Sequence, residues 1–167
     1  MQPLEPPDSH FVSAALGWLE LGNWREAAAE LEAVAPALSQ HAAVLRMRYE
    51  IHAKAGQWDL ASEDALTLSK NIPDEPDTWT KLAYATRRKT GGGIPPAKAI
   101  LAAARQRFPA EALIAYNLAC YECQLGNLPQ ARALLREAFQ LENPAVVKQM
   151  CLDDPDLEPL RQEIKLM

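Results

Sequence analysis

The chain has 167 residues, with 29 Ala and 23 Leu against 16 Val, Ile and Thr together, and its formal net charge is −5. Ala and Leu cost least in a helix, whereas β-branched residues prefer strands, so the composition excludes a mainly β fold. The surplus of acidic residues argues against nucleic-acid binding as the main role, because phosphate contacts need Lys and Arg.

The start of the chain gives no sign of export. Residues 1–7 are polar and rich in proline, and they lack the apolar segment of a secretory signal. No run of the sequence approaches the roughly 20 apolar residues that span a bilayer. Three cysteines are too few for a disulfide scaffold, so a reducing cytosol is the expected compartment. We therefore expect a cytoplasmic protein without membrane insertion.

A Gly-x-aromatic-x-x-Ala string recurs along the chain, first at residues 22–27, again at 56–61, and in a softer form at 126–131. The alanines that mark the same position in each copy are spaced 34, 36 and 34 residues apart: Ala27, Ala61, Ala97 and Ala131. Self-similarity at a fixed period of this length is typical of a helical repeat protein.

Each repeat is predicted to contain two helices, A and B. Helix A ends at the glycine, since a left-handed residue terminates a helix, and helix B ends near a proline, because the residue before a proline avoids the helical region. Pro36 interrupts helix B of the first repeat early. The predicted organisation is a lead at 1–7, four repeats at 8–41, 42–75, 76–111 and 112–145, and capping helices at 146–167.

This pattern resembles the tetratricopeptide repeat, or TPR, a family of 34-residue helix pairs. The residues that match the family's repeat core are Trp18, Trp24, Ala27, Trp58, Ala61, Trp79, Leu82, Ala97, Leu118 and Ala131. The phrase Asp-Pro-Asp-Leu near the end of the chain is similar to the ends of bacterial TPR proteins. The resemblance implies an all-α fold, an α-solenoid in which about four helix pairs stack into a right-handed superhelix with a C-terminal cap.

The second repeat departs from the family pattern. Arg48 and Tyr49 stand where Leu and a small residue are expected. This departure predicts that helix A of the second repeat is shifted or rotated.

The A helices of TPR proteins line a concave face, so the resemblance implies a peptide-binding groove there. Steps of three and four residues define one stripe of these helices. The predicted groove residues on this stripe are Arg46, Glu50, Lys54, Thr80, Tyr84, Arg87, Arg88, Tyr116, Cys120 and Gln124. Basic residues predominate in the middle of the stripe, so we expect a peptide with acidic or C-terminal carboxylate groups and an apolar anchor. The alternative is a solvated face whose charges pair with one another.

Two motifs of this chain, a C-x-x-C pair and a glycine-rich loop, are of types that carry chemistry in other proteins. Cys120 and Cys123 form a C-x-x-C pair, a spacing used in redox and zinc sites, but the pair falls in the middle of a predicted helix and no second pair completes a zinc site. Cys120 and Cys123 are therefore expected to be thiols packed in the core.

The glycine-rich loop 90–96 is interpreted as a lengthened turn, with anion binding as the alternative. No catalytic triad stands out, and neither a cofactor nor a metal is predicted.

The function implied by the resemblance is that of a non-enzymatic adaptor or scaffold, which binds a peptide or helix of a partner protein. The first alternative is a small secretion-type TPR chaperone, which would be dimeric, and a homo-oligomer is compatible with the exposed ends of a solenoid. The second alternative is a redox or metal protein that uses Cys120 and Cys123.

Overall fold

The computed structural model describes residues 3–166, so the first two residues of the predicted lead and the last residue of the predicted cap lie outside it. Along the described residues the chain forms ten α-helices, two short 3₁₀ helices and no strand. The α-helices are α1 (Asp8–Glu20), α2 (Trp24–Glu32), α3 (Ala42–Lys54), α4 (Trp58–Asn71), α5 (Pro76–Arg88), α6 (Ile94–Arg107), α7 (Ala112–Gln124), α8 (Leu128–Leu141), α9 (Pro144–Asp153) and α10 (Arg161–Leu166). The first 3₁₀ helix is Pro36–Leu38 and the second is Pro155–Leu160.

The predicted fold class, an all-α solenoid of consecutive helix pairs, is confirmed. The chain divides into two compact units, an N-terminal unit Met1–Gly93 with α1–α5 and a C-terminal unit Ile94–Met167 with α6–α10. This boundary separates the two helices of the predicted third repeat, and the limits of the four repeats stay a prediction. Within residues 3–166, no helix combines the length and the apolar character that crossing a membrane requires.

A glycine with a positive φ angle terminates helix A in three of the repeats: Gly22 at 78°, Gly56 at 71° and Gly126 at 81°. The N–H of the following residue then donates to a carbonyl five residues back: Asn23 to Trp18 at 2.9 Å, Gln57 to His52 at 2.8 Å and Asn127 to Glu122 at 2.8 Å. This pattern satisfies carbonyl groups that the end of a helix leaves without partners. The glycines therefore fix where each helix A stops and the chain reverses.

The four periodic alanines are completely buried, with Ala27, Ala61, Ala97 and Ala131 each 0% exposed. Leu82 in the N-terminal unit and Leu118 in the C-terminal unit are also buried. Of the four predicted core tryptophans, Trp24, Trp58 and Trp79 are half-buried. Trp18 lies outside the core, because its indole is 36% exposed and its Nε1 donates to Glu30 Oε1 at 3.4 Å.

The unusual residues of the second repeat do not change the length of its first helix, and whether that helix is rotated stays a prediction. α3 has 13 residues, the same length as α1, α5 and α7. Arg48 forms an ion pair with Asp64 of α4, and Tyr49 is buried with its hydroxyl donating to Lys81 O at 3.3 Å. Polar partners within the N-terminal unit therefore accommodate the two residues that depart from the repeat pattern.

The turn after α5 is closed by its own backbone. The N–H of Gly93 donates to Thr86 O at 3.2 Å, and the N–H of Gly92 donates to Lys89 O at 3.0 Å. A Cβ atom on Gly92 would lie 1.9 Å from Thr86 O, so this turn has no room for a side chain. Gly17, in contrast, is exposed within α1 and has no atom within 4 Å of its Cβ position.

These two glycines give opposite predictions for substitution by alanine. Gly17→Ala is expected to raise the free energy of unfolding by about 0.5–1 kcal/mol, because glycine inside a helix is entropically costly. Gly92→Ala is expected to lower it by about 1–3 kcal/mol, because the turn must open to admit the methyl group. Urea denaturation of both variants measures the difference, and a Gly92→Ala protein as stable as the unmodified chain would refute this description of the turn.

Candidate functional site

The predicted groove residues of α3 and α5 differ in how much of their charge is already paired. The guanidinium group of Arg46 binds Glu75, and its Nη1 lies 2.8 Å from Asp77 Oδ2. Lys81 Nζ lies 3.1 Å from Glu50 Oε1 and 3.1 Å from Asp77 Oδ1. This network joins α3 to α5 and its N-terminal residues. Arg46 and Glu50 therefore hold two A helices together, as the alternative of mutually paired charges anticipates.

Tyr49 lies beside this network and reinforces it. The ammonium group of Lys81 is 5.3 Å from the centroid of the Tyr49 ring, within the range of a cation–π interaction. Burial, followed by the charge of Glu50, raises the pKa of the Tyr49 hydroxyl well above its ordinary value. Tyr49 therefore remains a neutral hydrogen-bond donor at physiological pH.

A second group of side chains on the N-terminal unit combines cations with aromatic rings. The Trp58 and Tyr84 rings meet edge to face, with centroids 5.7 Å apart. The guanidinium carbon of Arg88 lies 3.4 Å from the Tyr84 centroid and 5.3 Å from the Trp58 ring. Tyr84 is 42% exposed, so solvent reaches this stack.

Lys54 occupies the last position of α3, as Arg88 does in α5, and both helices have 13 residues. Neither Lys54 nor Arg88 forms an ion pair within residues 3–166, whereas Arg46 and Lys81 both do. We call Trp58, Tyr84 and Arg88 the cationic–aromatic patch; Lys54 precedes Trp58 by four residues along the chain. Trp58 was predicted only as a core residue, and it is half-buried.

The remaining groove residues of α5 have partners within the protein. Thr80 is 9% exposed, and its hydroxyl donates to Asp77 O at 2.8 Å. Arg87 is partly buried and has interactions of its own within the protein. We therefore do not include these two residues in the cationic–aromatic patch.

Two of the three predicted groove residues of α7, Tyr116 and Cys120, are covered by the C-terminal end of the chain, while Gln124 is exposed but bonded to it. The Tyr116 hydroxyl donates to Asp154 Oδ2 at 2.7 Å, and Cys120 Sγ lies 3.5 Å from the same oxygen. Gln124 Nε2 donates to Asp156 O at 2.9 Å. Tyr116 is 7% exposed and Cys120 is 2% exposed. The expectation of an open groove on α7 is thus corrected, because the second 3₁₀ helix packs against it and buries Leu157 completely.

The three cysteines are free thiols inside the C-terminal unit. Burial, followed by the charge of Asp154, raises the pKa of Cys120 far above its ordinary value and the pKa of Cys151 to about 12. Burial also raises the pKa of Cys123. Thiols with raised pKa values are poor nucleophiles and poor metal ligands, since both roles require the thiolate. Among residues 3–166, no group of three or more His, Cys, Asp or Glu side chains is placed to hold a metal ion.

The glycine-rich turn has an internal partner for its donors. Asp59 accepts the Thr90 N–H at 3.2 Å and the Thr90 hydroxyl at 2.9 Å. These contacts favour the interpretation of the loop as a lengthened turn, because a carboxylate of the chain itself already binds the donors of Thr90.

Cysteine reactivity tests this description of the thiols. Because a raised pKa lowers the thiolate fraction at any given pH, we expect all three cysteines to be unreactive toward Ellman's reagent at pH 8 in the folded protein. They should react at once in 6 M guanidinium chloride. Ser13→Cys, which places a thiol at an exposed position of α1, is the control and should react rapidly in the folded state. Fast reaction of the unmodified folded chain would contradict the burial described here.

The hydrogen bond between Tyr116 and Asp154 is predicted to stabilise the C-terminal unit. Tyr116→Phe removes a buried donor to a carboxylate, a type of bond worth about 1.5–3 kcal/mol, and should lower the free energy of unfolding by that amount. Tyr84→Phe, in which the lost hydroxyl has no protein partner within residues 3–166, is the matched control and should change it by less than about 0.5 kcal/mol. Equal effects of the two substitutions in urea denaturation would disprove a specific role for the bond.

No protein-family profile matches the sequence, and no curated protein matches it either. The structure is similar to that of a solved protein described as MamA RS-1 ArsTM double mutant, with a TM-score of 0.68 and 13% sequence identity. The similarity covers 83% of this chain and 76% of the other chain. MamA is a TPR-containing protein. At this level of identity the similarity shows the fold, which is TPR-like.

Proposed function

We propose that this chain is a non-enzymatic protein-interaction module whose cationic–aromatic patch binds an acidic segment of a partner protein. The TPR-like fold supports a protein partner, since solenoids of stacked helix pairs present extended binding surfaces. The observation that carries the proposal is Arg88, which is stacked 3.4 Å from the Tyr84 ring centroid without an acidic partner in residues 3–166.

The geometry of Arg88 favours binding over a purely structural role. Its Nη1 donates to Tyr84 O at 3.1 Å, so contacts to both the ring and the backbone orient the guanidinium plane. An oriented guanidinium loses less entropy when it binds a carboxylate, and its remaining N–H groups match the geometry of that acceptor. Tyr, Trp and Arg are also the residues most enriched at the energetic centres of protein interfaces.

The distribution of charge in the N-terminal unit gives the expected polarity of the partner. Arg46 and Lys81 are neutralised by Glu50, Glu75 and Asp77, so they do not attract a ligand strongly. Lys54 and Arg88 have no acidic partner within residues 3–166, in a chain whose net charge is −5. An acidic peptide with an apolar side chain would meet the Arg88 guanidinium and the Trp58 and Tyr84 rings beside it. The adaptor role, the cytoplasmic location and the alternative of a dimeric chaperone stay predictions.

Charge reversal within the patch tests the proposal. Partner proteins retained from the native source are identified by mass spectrometry and then titrated with the purified chain and its variants. Arg88→Glu should weaken binding of a genuine partner at least about tenfold, as expected for a residue at the centre of an interface, and should reduce the salt dependence of binding.

Lys70→Glu is the matched control for this experiment. Lys70 is exposed in the last turn of α4, so the substitution makes the same change of charge in the same unit but away from the patch. Lys70→Glu should change the Kd of the partner by less than about twofold. A tenfold change, the one expected of Arg88→Glu, corresponds to about 1.4 kcal/mol. Unchanged affinity of Arg88→Glu, or equal losses in the two variants, would overturn the proposal.

A further inference from the structure

A cavity of about 250 Å³ lies in the N-terminal unit between α2, the first 3₁₀ helix and α3. Most of its wall is apolar, with Leu31 and Val34 from one side and Val44 and Ile51 from the other. An engineered apolar cavity of about 150 Å³ is large enough to bind benzene. The cavity therefore has room for a ring with a short chain attached.

The cavity exists because the sequence stops α2 early. α2 has 9 residues, whereas α4, α6 and α8, which are the corresponding helices of the later repeats, each have 14. Ala35 precedes Pro36 and is extended, with φ −53° and ψ 130°, as expected for a residue before proline. The space that a longer helix would fill is left open over α3.

The floor of the cavity is polar, although the repeat pattern expects Leu where Arg48 stands. Arg48 and His52 line the cavity, and both are bound to Asp64 behind them. Arg48 Nε lies 2.6 Å from Asp64 Oδ1, and His52 Nδ1 lies 2.8 Å from Asp64 Oδ2. The Asp64 side chain is 5% exposed, against 32% for Arg48 and 19% for His52.

This arrangement presents nitrogen atoms to the cavity and hides the carboxylate. Asp64 fixes the planes of both side chains, and it leaves Arg48 Nη1 and His52 Nε2 without a protein partner among residues 3–166. The buried carboxylate therefore orients the planes of the two side chains, and Arg48 Nη1 keeps N–H groups that no residue within 3–166 accepts. Glu32 also lines the cavity but is exposed to solvent, where its charge is screened.

We propose that this cavity is a binding site for a small molecule with an apolar body and a carboxylate group. The carboxylate would lie against Arg48 Nη1, and the apolar body would contact Leu31, Val34, Val44 and Ile51. Two departures from the repeat pattern, the early break at Pro36 and the arginine at position 48, meet at this one place. Local rules of a fold are broken most often at functional sites, which supports a role beyond stability.

The probe for this proposal is 3-phenylpropionate, titrated into the full chain labelled with ¹⁵N and followed by NMR. Saturable shift changes are expected at the amides of Val44 and Ile51. The acid should bind at least tenfold more tightly than 3-phenylpropanol, which has the same ring and chain, and 3-phenylpropylamine should bind more weakly than either. Absence of saturable shifts, or equal affinity of the acid and the alcohol, would overturn the proposal.

Two pairs of variants separate binding from folding. Ala28→Leu fills the cavity and keeps Arg48, His52 and Asp64 in place, so it should abolish binding, whereas Ala29→Leu at the neighbouring exposed position should not. Arg48→Gln should reduce the affinity for the acid to that for the alcohol. Because Arg48→Gln removes a partner of buried Asp64 and lowers stability, the Ala28→Leu result is decisive where that variant fails to fold. Unchanged binding in Ala28→Leu would refute the site.

Discussion

The close approach of the two helices in the first, second and fourth repeats is the constraint on which the rest of the structure depends. Helix axes that cross at roughly 8–10 Å leave no space for large side chains at the crossing. Ala27, Ala61 and Ala131 meet this demand in those three repeats, and all three are completely buried, as is the corresponding Ala97 of α6. Because these contacts fix how helix A lies on helix B in the three repeats, they also determine which side of helix A faces solvent.

The sequence predicted the helices well because their limits depend on local chemistry. A glycine with positive φ ends helix A, and prolines limit the B helices, so both signals can be identified without knowledge of distant contacts. The alanine period added the pairing of helices, since only small residues suit a close crossing. Length, composition and period together were therefore sufficient for the fold class.

The candidate sites were less predictable because distant residues determine them. Tyr116 is covered by Asp154, which lies 38 residues further along the chain, and the stripe rule cannot anticipate such a partner. Arg46 was expected to be available to a ligand, but its charge is paired with Glu75 at the end of the same repeat and with Asp77 of the following repeat. The sequence pattern shows which side of a helix a residue occupies, and only the structure shows whether its charge is already neutralised.

Paired and unpaired charges divide the polar residues of the N-terminal unit into two functional groups. Arg46 and Lys81 join α3 to α5, while Lys54 and Arg88 form no ion pair within residues 3–166. Arg48 is paired on one side and open on the other. Asp64 binds Nε and Nη2 of its guanidinium, and the same side chain lines the cavity. The binding proposed for this chain therefore depends on incomplete pairing of a few cations on a scaffold fixed by small apolar contacts.

The most direct test of the central constraint compares two alanines of α8. Ala131 is 0% exposed, whereas Ala133 lies on the exposed side of the same helix. Urea denaturation should show that Ala131→Leu lowers the free energy of unfolding by about 1–3 kcal/mol, as overpacking of a close contact does, and that Ala133→Leu changes it by less than about 0.5 kcal/mol. Equal stability of the two variants would contradict the claim that close helix crossings at buried alanines define this fold.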